Sequence, residues 1–433
     1  MTVVHADRRR SLLRQTCSTV CSPPVEDVLQ IGPTSDRTSF MERFDVIVVG
    51  TGGMGAAAAM HLAARGTRVL GLDRFPPGHA RGSSHGQTRL IRLAYFEHPN
   101  YVPLLRRAYA LWRELEQAAG RRLLVESGLI LAGPQEGEAV AGTLHSAAIH
   151  GLPIQRMTAR EAMRRWPALR LPEDWAAVHE SCAGYLFVEE CVMAHAAAAI
   201  RHGARLEHGV DVRGWRTAGA GGHVVVDTDR GSYAADRLVV AAGPWAHGLI
   251  RMPTLPLRVL RKSLFWYETD GATADQRRGP PPDDGAGGLP CFAFDTPAGF
   301  FYGFPPLDDR GLKVAEHTGG EPVGDPLEVD RSLDIRERDR VEQVLAAHLP
   351  GVSRRMTDHA VCLYTMSPDG HFVVGLHREH PRVAIAAGFS GHGFKFASVI
   401  GEILADLALD GRTDHPIGFL SPDRFAARPA GPG

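Results

Sequence analysis

The residues Gly50-Thr51-Gly52-Gly53-Met54-Gly55 have the spacing of a turn that cradles a pyrophosphate. They follow the apolar, β-branched run Phe44–Val49 and precede the alanine-rich stretch from Ala56 to Arg65. A buried strand, a glycine turn and a closely packing helix are therefore expected. Gly50 allows the tight turn, Gly52 lets the backbone approach the phosphates, and Gly55 lets helix and strand touch. The helix start adds free N–H groups and partial positive charge. After Gly66 a second strand, Thr67 to Leu72, ends at Asp73, whose carboxylate suits a ribose and disfavours a 2′-phosphate. Arg74 follows at the same strand end. The chemistry implied is the holding of a dinucleotide.

Two further clusters carry charge. Gly82-Ser83-Ser84-His85-Gly86-Gln87-Thr88-Arg89-Leu90-Ile91-Arg92 has two arginines three apart. Read as a helix, it sets Arg89 and Arg92 on one face, where planar guanidinium forks match a carboxylate. Near the C-terminus, the strand-like Val383–Gly388 feeds Phe389-Ser390-Gly391-His392-Gly393-Phe394-Lys395-Phe396, and a helix is expected from Ala397 to Leu409. Such a loop offers backbone donors and a cation to an electron-rich group, as reduced flavin is. The fingerprint alone does not separate FAD from NAD. The strand-like Ala235–Gly243, a late return to the nucleotide sheet, favours FAD over the continued βα alternation of an isolated NAD domain.

With these segments in hand, the chain resembles the monomeric sarcosine oxidase and N-methyl-tryptophan oxidase family, within the wider D-amino-acid-oxidase-like flavoproteins. The resemblance runs from Phe44 to about Phe425. It is most specific at Gly82–Arg92, Phe301–His317, Ala360–Thr365 and Gly388–Phe396. It implies covalent attachment of FAD to Cys362, and a substrate carboxylate held by Arg92 and Lys395. It implies His85 and Arg89 beside the flavin ring, Tyr302, His317 and Tyr364 around the substrate, and Lys313 where oxygen reacts. The cofactor set is then Gly50, Thr51, Gly52, Gly53, Met54, Gly55, Asp73, Arg74, Ser84, His85, Arg89, Val212, Gly243, Cys362, Gly391, His392, Gly393, Phe394 and Lys395. Lys313, Arg89, His317 and Tyr302 form the catalytic set. The expected reaction takes a small secondary amino acid to an imine while O2 becomes hydrogen peroxide, in a monomer.

Without the resemblance, Lys313 reads as an exposed strand lysine, His317 as an ordinary histidine and Cys362 as a small buried hydrophobe. The stretch Gly82–Gln87 looks like the peroxisomal pipecolate/sarcosine branch, whereas Ser367-Pro368-Asp369 and His317–Gly320 lean toward the N-methyl-tryptophan branch, so substrate choice stays open. Two competing classes remain at this level: an NAD-dependent dehydrogenase, and a flavoprotein that passes electrons to a partner.

Those residues need a large frame. The 433 residues suit two domains that share a core, with 44% hydrophobic and 22% charged residues. The expected fold is α/β joined to α+β. A Rossmann-like FAD domain with a parallel sheet takes 42–130, 185–255 and 355–425. A substrate domain with a mainly antiparallel sheet and helices on one side takes 131–184 and 256–354. Forty-eight basic residues against 49 acidic give a net charge of −1, which argues against nucleic acid as a partner. No apolar run reaches the roughly 20 residues of a membrane span. Six scattered cysteines suit a reducing compartment, and the pairs Cys17/Cys21 and His377/His380 lack the further ligands of a metal site, so His377 and His380 read as surface. Arg8, Arg9 and Arg10 faintly resemble an export signal that Arg14, Gln15 and Thr16 interrupt. Residues 1–41 therefore read as a poorly ordered extension, 426–433 as a frayed tail, Gly271–Gly288 as a loop, and the location as cytoplasmic.

Overall fold

The computed structural model describes residues 41–218, 222–269 and 288–426. The expected extension before Met41, the loop beginning at Gly271 and the tail beyond Ala426 lie outside the described residues.

The run that reads as a buried strand is one: Arg43–Val49, with Val46, Ile47, Val48 and Val49 all buried. It pairs in parallel with Val69–Asp73 on one side and Gly231–Val240 on the other. The sheet continues, again in parallel, to Arg205–His208 and Val383–Ala387. Strands buried on both faces carry near-continuous apolar sequence, as Val69–Asp73 and Val383–Ala387 do, while the edge strand Arg205–His208 is polar and only partly buried. Helix Gly53–Ala64 crosses from the first strand to the second. Ala56, Ala57, Ala58 and Ala59 are fully buried along it, so it lies close to its neighbours. Helices Tyr101–Ala119, Val188–Arg201 and Ala397–Asp410 complete this layer.

A second, nine-stranded sheet holds Arg258–Thr269, Cys291–Thr296, Gly299–Phe304, Leu312–Glu316, Leu129–Pro134 and Val352–Met366 among its strands. Every pairing in it is antiparallel except Cys291–Thr296 with Leu129–Pro134. Alternation sorts its side chains. Ile130, Phe292, Phe294 and Phe301 face helices Ala159–Arg165 and Ile335–His348, while Leu129, Leu131, Ala293 and Tyr302 take the opposite face. Helices were expected on one side only. Helix Glu138–His150 adds Ala139 and Val140 to the second face, where the apolar ends of Leu129–Pro134 and Trp175–Glu180 need cover.

The Gly82–Arg92 segment is not helical. Thr88–Ile91 is a strand, antiparallel to Gly184–Phe187, and Gly86 and Gln87 before it both take positive φ (88° and 72°). Glycine and β-branched residues outweigh the helix reading here, and the proposed common helical face of Arg89 and Arg92 does not exist. His377 is not at the surface either. It is 3% exposed, its Nε2 lies 2.9 Å from the Ile250 carbonyl, and its ring and that of His380 meet Trp215 edge-on.

Close approach of Gly53–Ala64 and Ala397–Asp410 depends on Gly401, where an added Cβ would collide with Ala57. Gly401→Val should therefore cost roughly 1–3 kcal/mol through overpacking, read as a lower midpoint of urea unfolding. An unchanged midpoint would mean that the two helices are not in contact there.

Candidate active site

A cleft runs between the two sheets, lined at one end by Gly50, Gly52, Gly53 and Met54 and at the other by Tyr302, His317, Tyr364 and Lys395. Strand ends of both sheets deliver these groups. The long strand Val352–Met366 pairs along Arg258–Thr269 and brings Cys362 and Tyr364 to the seam.

At the first end, Gly50 has φ 87°, and a Cβ there would meet the Ala241 carbonyl. Only glycine turns the chain this tightly. Asp73 accepts hydrogen bonds from the Thr51 N–H at 2.6 Å and the Phe75 N–H at 2.9 Å, which fix its carboxylate at the cleft wall. Ser84 Oγ accepts from the Gly53 N–H at 3.3 Å. Arg74 pairs with Asp211, and Val212 and Gly243 complete this wall. Trp245 lines the same wall with its indole N–H buried and without a partner. Bare glycine backbone, a fixed acid and an unsatisfied donor fit a dinucleotide. Thr51 and Gly55 stand behind the loop rather than in the lining.

Farther along, Arg89 donates through Nη2 to the Ser83 carbonyl at 3.0 Å and reaches Cys362 Sγ at 3.1 Å. Cys362 is 1% exposed, one residue behind the lining residue Leu363. His85 is also buried, with Nε2 unpartnered. Burial, then the nearby Arg89 charge, pushes its imidazole down to about 4, so it is neutral near pH 7. Lys313 is no surface lysine. It is 1% exposed and donates to the Gly86 carbonyl at 2.5 Å, the Thr88 carbonyl at 2.8 Å and Thr88 Oγ1 at 3.1 Å. Burial and the Arg89 charge lower its affinity for the proton well below the usual range. It lies behind the cleft wall, as do His85 and Cys362.

Arg92 and Lys395 do converge. The guanidinium lies 4.4 Å from the Tyr95 ring and the ammonium 5.1 Å from that same ring, and both side chains line the cleft. Arg92 grips both carboxylate oxygens of Glu97, at 2.7 and 2.9 Å. Lys395 donates to the His392 carbonyl at 2.8 Å. Burial first, and then Arg92, push Lys395 down to about 7. Burial resists charge on Glu97, but Arg92, His392 and Lys395 outweigh it and hold the carboxyl at about 2. His317, kept neutral by burial with a value of about 3, faces the Tyr364 hydroxyl at 3.4 Å, and Tyr302 bonds Tyr364 in turn. Gly391, Gly393 and Phe394 close the wall around His392, whose Nδ1 sits 2.7 Å from the Tyr95 hydroxyl.

Sequence reasoning missed several groups that hold this site. Glu97 is one. Glu180, 4% exposed, accepts from the Leu93 and Ala94 N–H groups at 2.5 and 3.0 Å and fixes the loop behind Arg92. Lys262, 2% exposed, donates to the Thr318 carbonyl at 2.5 Å, just past His317, and lies 5.6 Å from the Tyr364 ring. The partners of Glu180 and Lys262 are far apart in sequence, and only the fold brings them together, whereas Glu97 lies five residues from Arg92. Trp245 had a local signal, directly after the Gly243-Pro244 turn.

A family model described as FAD dependent oxidoreductase matches residues 45–407. The monomeric sarcosine oxidase of Streptomyces avermitilis is 41% identical over 391 residues, covering 89% of this chain and 99% of that enzyme. The N-methyl-L-tryptophan oxidase of Citrobacter koseri is 34% identical, over 84% of this chain and 95% of that enzyme. Among solved structures, NikD, an unusual amino acid oxidase essential for nikkomycin biosynthesis, aligns with a TM-score of 0.75 and 28% identity. It covers 88% of this chain and 98% of that one.

A lysine held near 7 is charged below that pH and neutral above it. Binding of a small carboxylate such as acetate, followed by calorimetry, should therefore weaken as pH rises through about 7. Lys395→Met should flatten the profile. An affinity that grows with pH would contradict the assignment.

Proposed function

This chain belongs to the FAD dependent oxidoreductase family, and on that premise we propose that it oxidises the C–N bond of a small secondary amino acid, sarcosine or another N-methyl amino acid, with O2 as the acceptor. The observation that carries the reading is the meeting of Arg92 and Lys395 in the same cleft as the Gly50 turn. A carboxylate and a dinucleotide would then be bound a short distance apart.

Bound FAD supplies the two-electron acceptor. The amine loses two electrons and two protons to become an imine, water hydrolyses the imine, and O2 takes up the two electrons and two protons as hydrogen peroxide. Sarcosine would give glycine and formaldehyde. The chain's own part is positioning and electrostatics. Gly50, Gly52, Gly53, Asp73 and Trp245 hold the nucleotide end. Arg92 and Lys395 orient the substrate carboxylate, with the Arg92–Glu97 pair opening or widening to admit it. Neutral His317 with Tyr364 and Tyr302 borders the amine without adding charge that would compete for its lone pair. Arg89 and Lys313 bring positive potential into a desolvated region, where it stabilises anionic reduced oxygen as charge develops. Cys362, beside Arg89, is the covalent anchor in this reading. The protein works as a cytoplasmic monomer. One fact agrees with the monomer: the relatives include enzymes named monomeric.

Purified protein should be yellow, and N-methyl amino acids should give peroxide in proportion to oxygen consumed. Colourless protein, or flavoprotein inert to the whole panel, rejects the reading. On acid precipitation the flavin should stay with the pellet, whereas with Cys362→Ser it should appear in the supernatant. Lys313→Met should slow reoxidation of the reduced enzyme by roughly 100-fold or more, the scale of losing one electrostatic contributor, and slow its reduction far less. Equal slowing of both half-reactions would remove Lys313 from the oxygen step.

A further inference from the structure

Lys395 is held from behind by two acceptors. Its ammonium donates to the His392 carbonyl at 2.8 Å and to the Tyr95 hydroxyl at 3.3 Å. An ammonium has three N–H donors. Among the described residues no third group accepts from it, and its side chain lines the cleft. The remaining N–H is therefore available to a ligand. Tyr95 is fully buried, with its hydroxyl 2.7 Å from His392 Nδ1. The second ring nitrogen, Nε2, lies 3.1 Å from the Gly370 carbonyl. A carbonyl oxygen only accepts, so Nε2 carries the hydrogen. Burial pushes the His392 imidazole down to about 4, so near pH 7 the ring has that one hydrogen and Nδ1 is bare. The Tyr95 hydroxyl, which burial keeps from ionising near neutral pH, donates to Nδ1. Its alternative acceptor, the His392 carbonyl at 3.2 Å, is farther away and already accepts from Lys395.

That fixed direction bears on Lys395. A hydroxyl free to turn could accept from a charged ammonium or donate to a neutral amine. With its hydrogen committed to His392, Tyr95 offers Lys395 lone pairs alone, and these favour the charged form. The other neighbours do not secure that charge. Burial, Arg92 and Arg89 oppose it; Glu97 supports it, but Arg92 already bonds both of its oxygens. His317 is neutral, and Tyr101, Trp112 and Phe396 around this corner bring no charge.

We propose that Tyr95 and His392 are positioning residues that act through Lys395, holding it in its charged form and leaving one N–H for the carboxylate of the ligand. The proposal rests on the reading of Arg92 and Lys395 as the carboxylate's partners and deepens it. The Tyr95 ring also lies 4.4 Å from the Arg92 guanidinium, so one side chain serves both cations, through its face for Arg92 and through its hydroxyl for Lys395.

The test titrates acetate into the flavin-loaded enzyme as purified, by calorimetry, from about pH 5.5 to about pH 9. His317 and His392 change charge near 3 and 4, and Glu97 near 2, so the midpoint near 7 belongs to Lys395. Tyr95→Phe keeps the ring and removes the acceptor. A hydrogen bond to a charged group is strong enough to move a titration by about one unit or more, so the midpoint should fall by at least that much. The acetate Kd should then rise about fivefold or more at pH 7 and less than about twofold at pH 5.5. A merely structural role would raise Kd alike at every pH and leave the midpoint in place, and that result would overturn the proposal. In a Lys395→Met background, adding Tyr95→Phe should change Kd less than about twofold throughout, since the pair acts through the ammonium; a larger change would also overturn it. If Tyr95→Phe fails to fold, His392→Leu decides: it removes the ring acceptor and should lower the midpoint too, and an unmoved midpoint would count against the proposal. Unaltered enzyme that binds no acetate would defeat the carboxylate reading itself, whereas an unmoved midpoint in a variant that still binds acetate leaves that reading intact.

Discussion

Two like charges held side by side in a desolvated cleft impose the main constraint on this protein. Arg92 and Lys395 are each 6% exposed and share the faces of one tyrosine ring. Leaving either cation buried without compensation would cost several kcal/mol. Much of the surrounding structure answers that cost. Glu97 takes both oxygens to Arg92, the Ala94 and His392 carbonyls accept from Arg92 and Lys395, and Glu180 fixes the backbone that presents these groups. A substrate carboxylate is favoured because it adds negative charge where positive charge is in excess.

The same excess extends along the seam. Lys262 and Lys313 are also nearly inaccessible, and each spends its donors on backbone carbonyls of segments that carry site residues. Lys313 ties down the turn that holds His85 and Arg89; Lys262 ties down the turn after His317. A buried ammonium in such a place does two things at once. It fixes a loop through charge-assisted hydrogen bonds, and it raises the local potential that an electron-rich cofactor or a developing anion would feel. Lys313 bridges the seam, leaving the second sheet to bond the Gly86 and Thr88 carbonyls, whereas Arg92, Lys395 and Lys262 are satisfied by their own loops or by their own sheet.

Local patterns in the sequence carried the nucleotide end. The strand, glycine turn and helix around Gly50 are consecutive, and the physics that selects glycine there is a matter of neighbouring backbone atoms. The long-range partners were another matter. Nothing near Glu180 or Lys262 in the chain signals what they touch, since their partners arrive through tertiary packing; Glu97 is a local partner of Arg92 that only the bend of the chain after Ile91 reveals. Lys313 was misread without the family resemblance because strand alternation predicts an exposed face only when one side of a sheet meets water. Here helices cover one face of the second sheet, and the cleft and the segment around Gly86 cover the other. Arg89 and Arg92 both line the cleft, but not by the shared helical face that their spacing suggests. A helix was assumed where Gly86, Gln87 and Thr88 enforce a kinked strand entry, and the two arginines meet the cleft through the bend of the chain instead.

The central claim is that Arg92 and Lys395 together receive the carboxylate of a ligand lying beside the dinucleotide. A crystal structure of the flavin-loaded enzyme with a small carboxylate such as acetate measures this directly. The carboxylate should appear within hydrogen-bond distance of both the Arg92 guanidinium and the Lys395 ammonium, against the flavin ring. A carboxylate bound elsewhere, with the cleft between those two side chains left to water, would contradict the account.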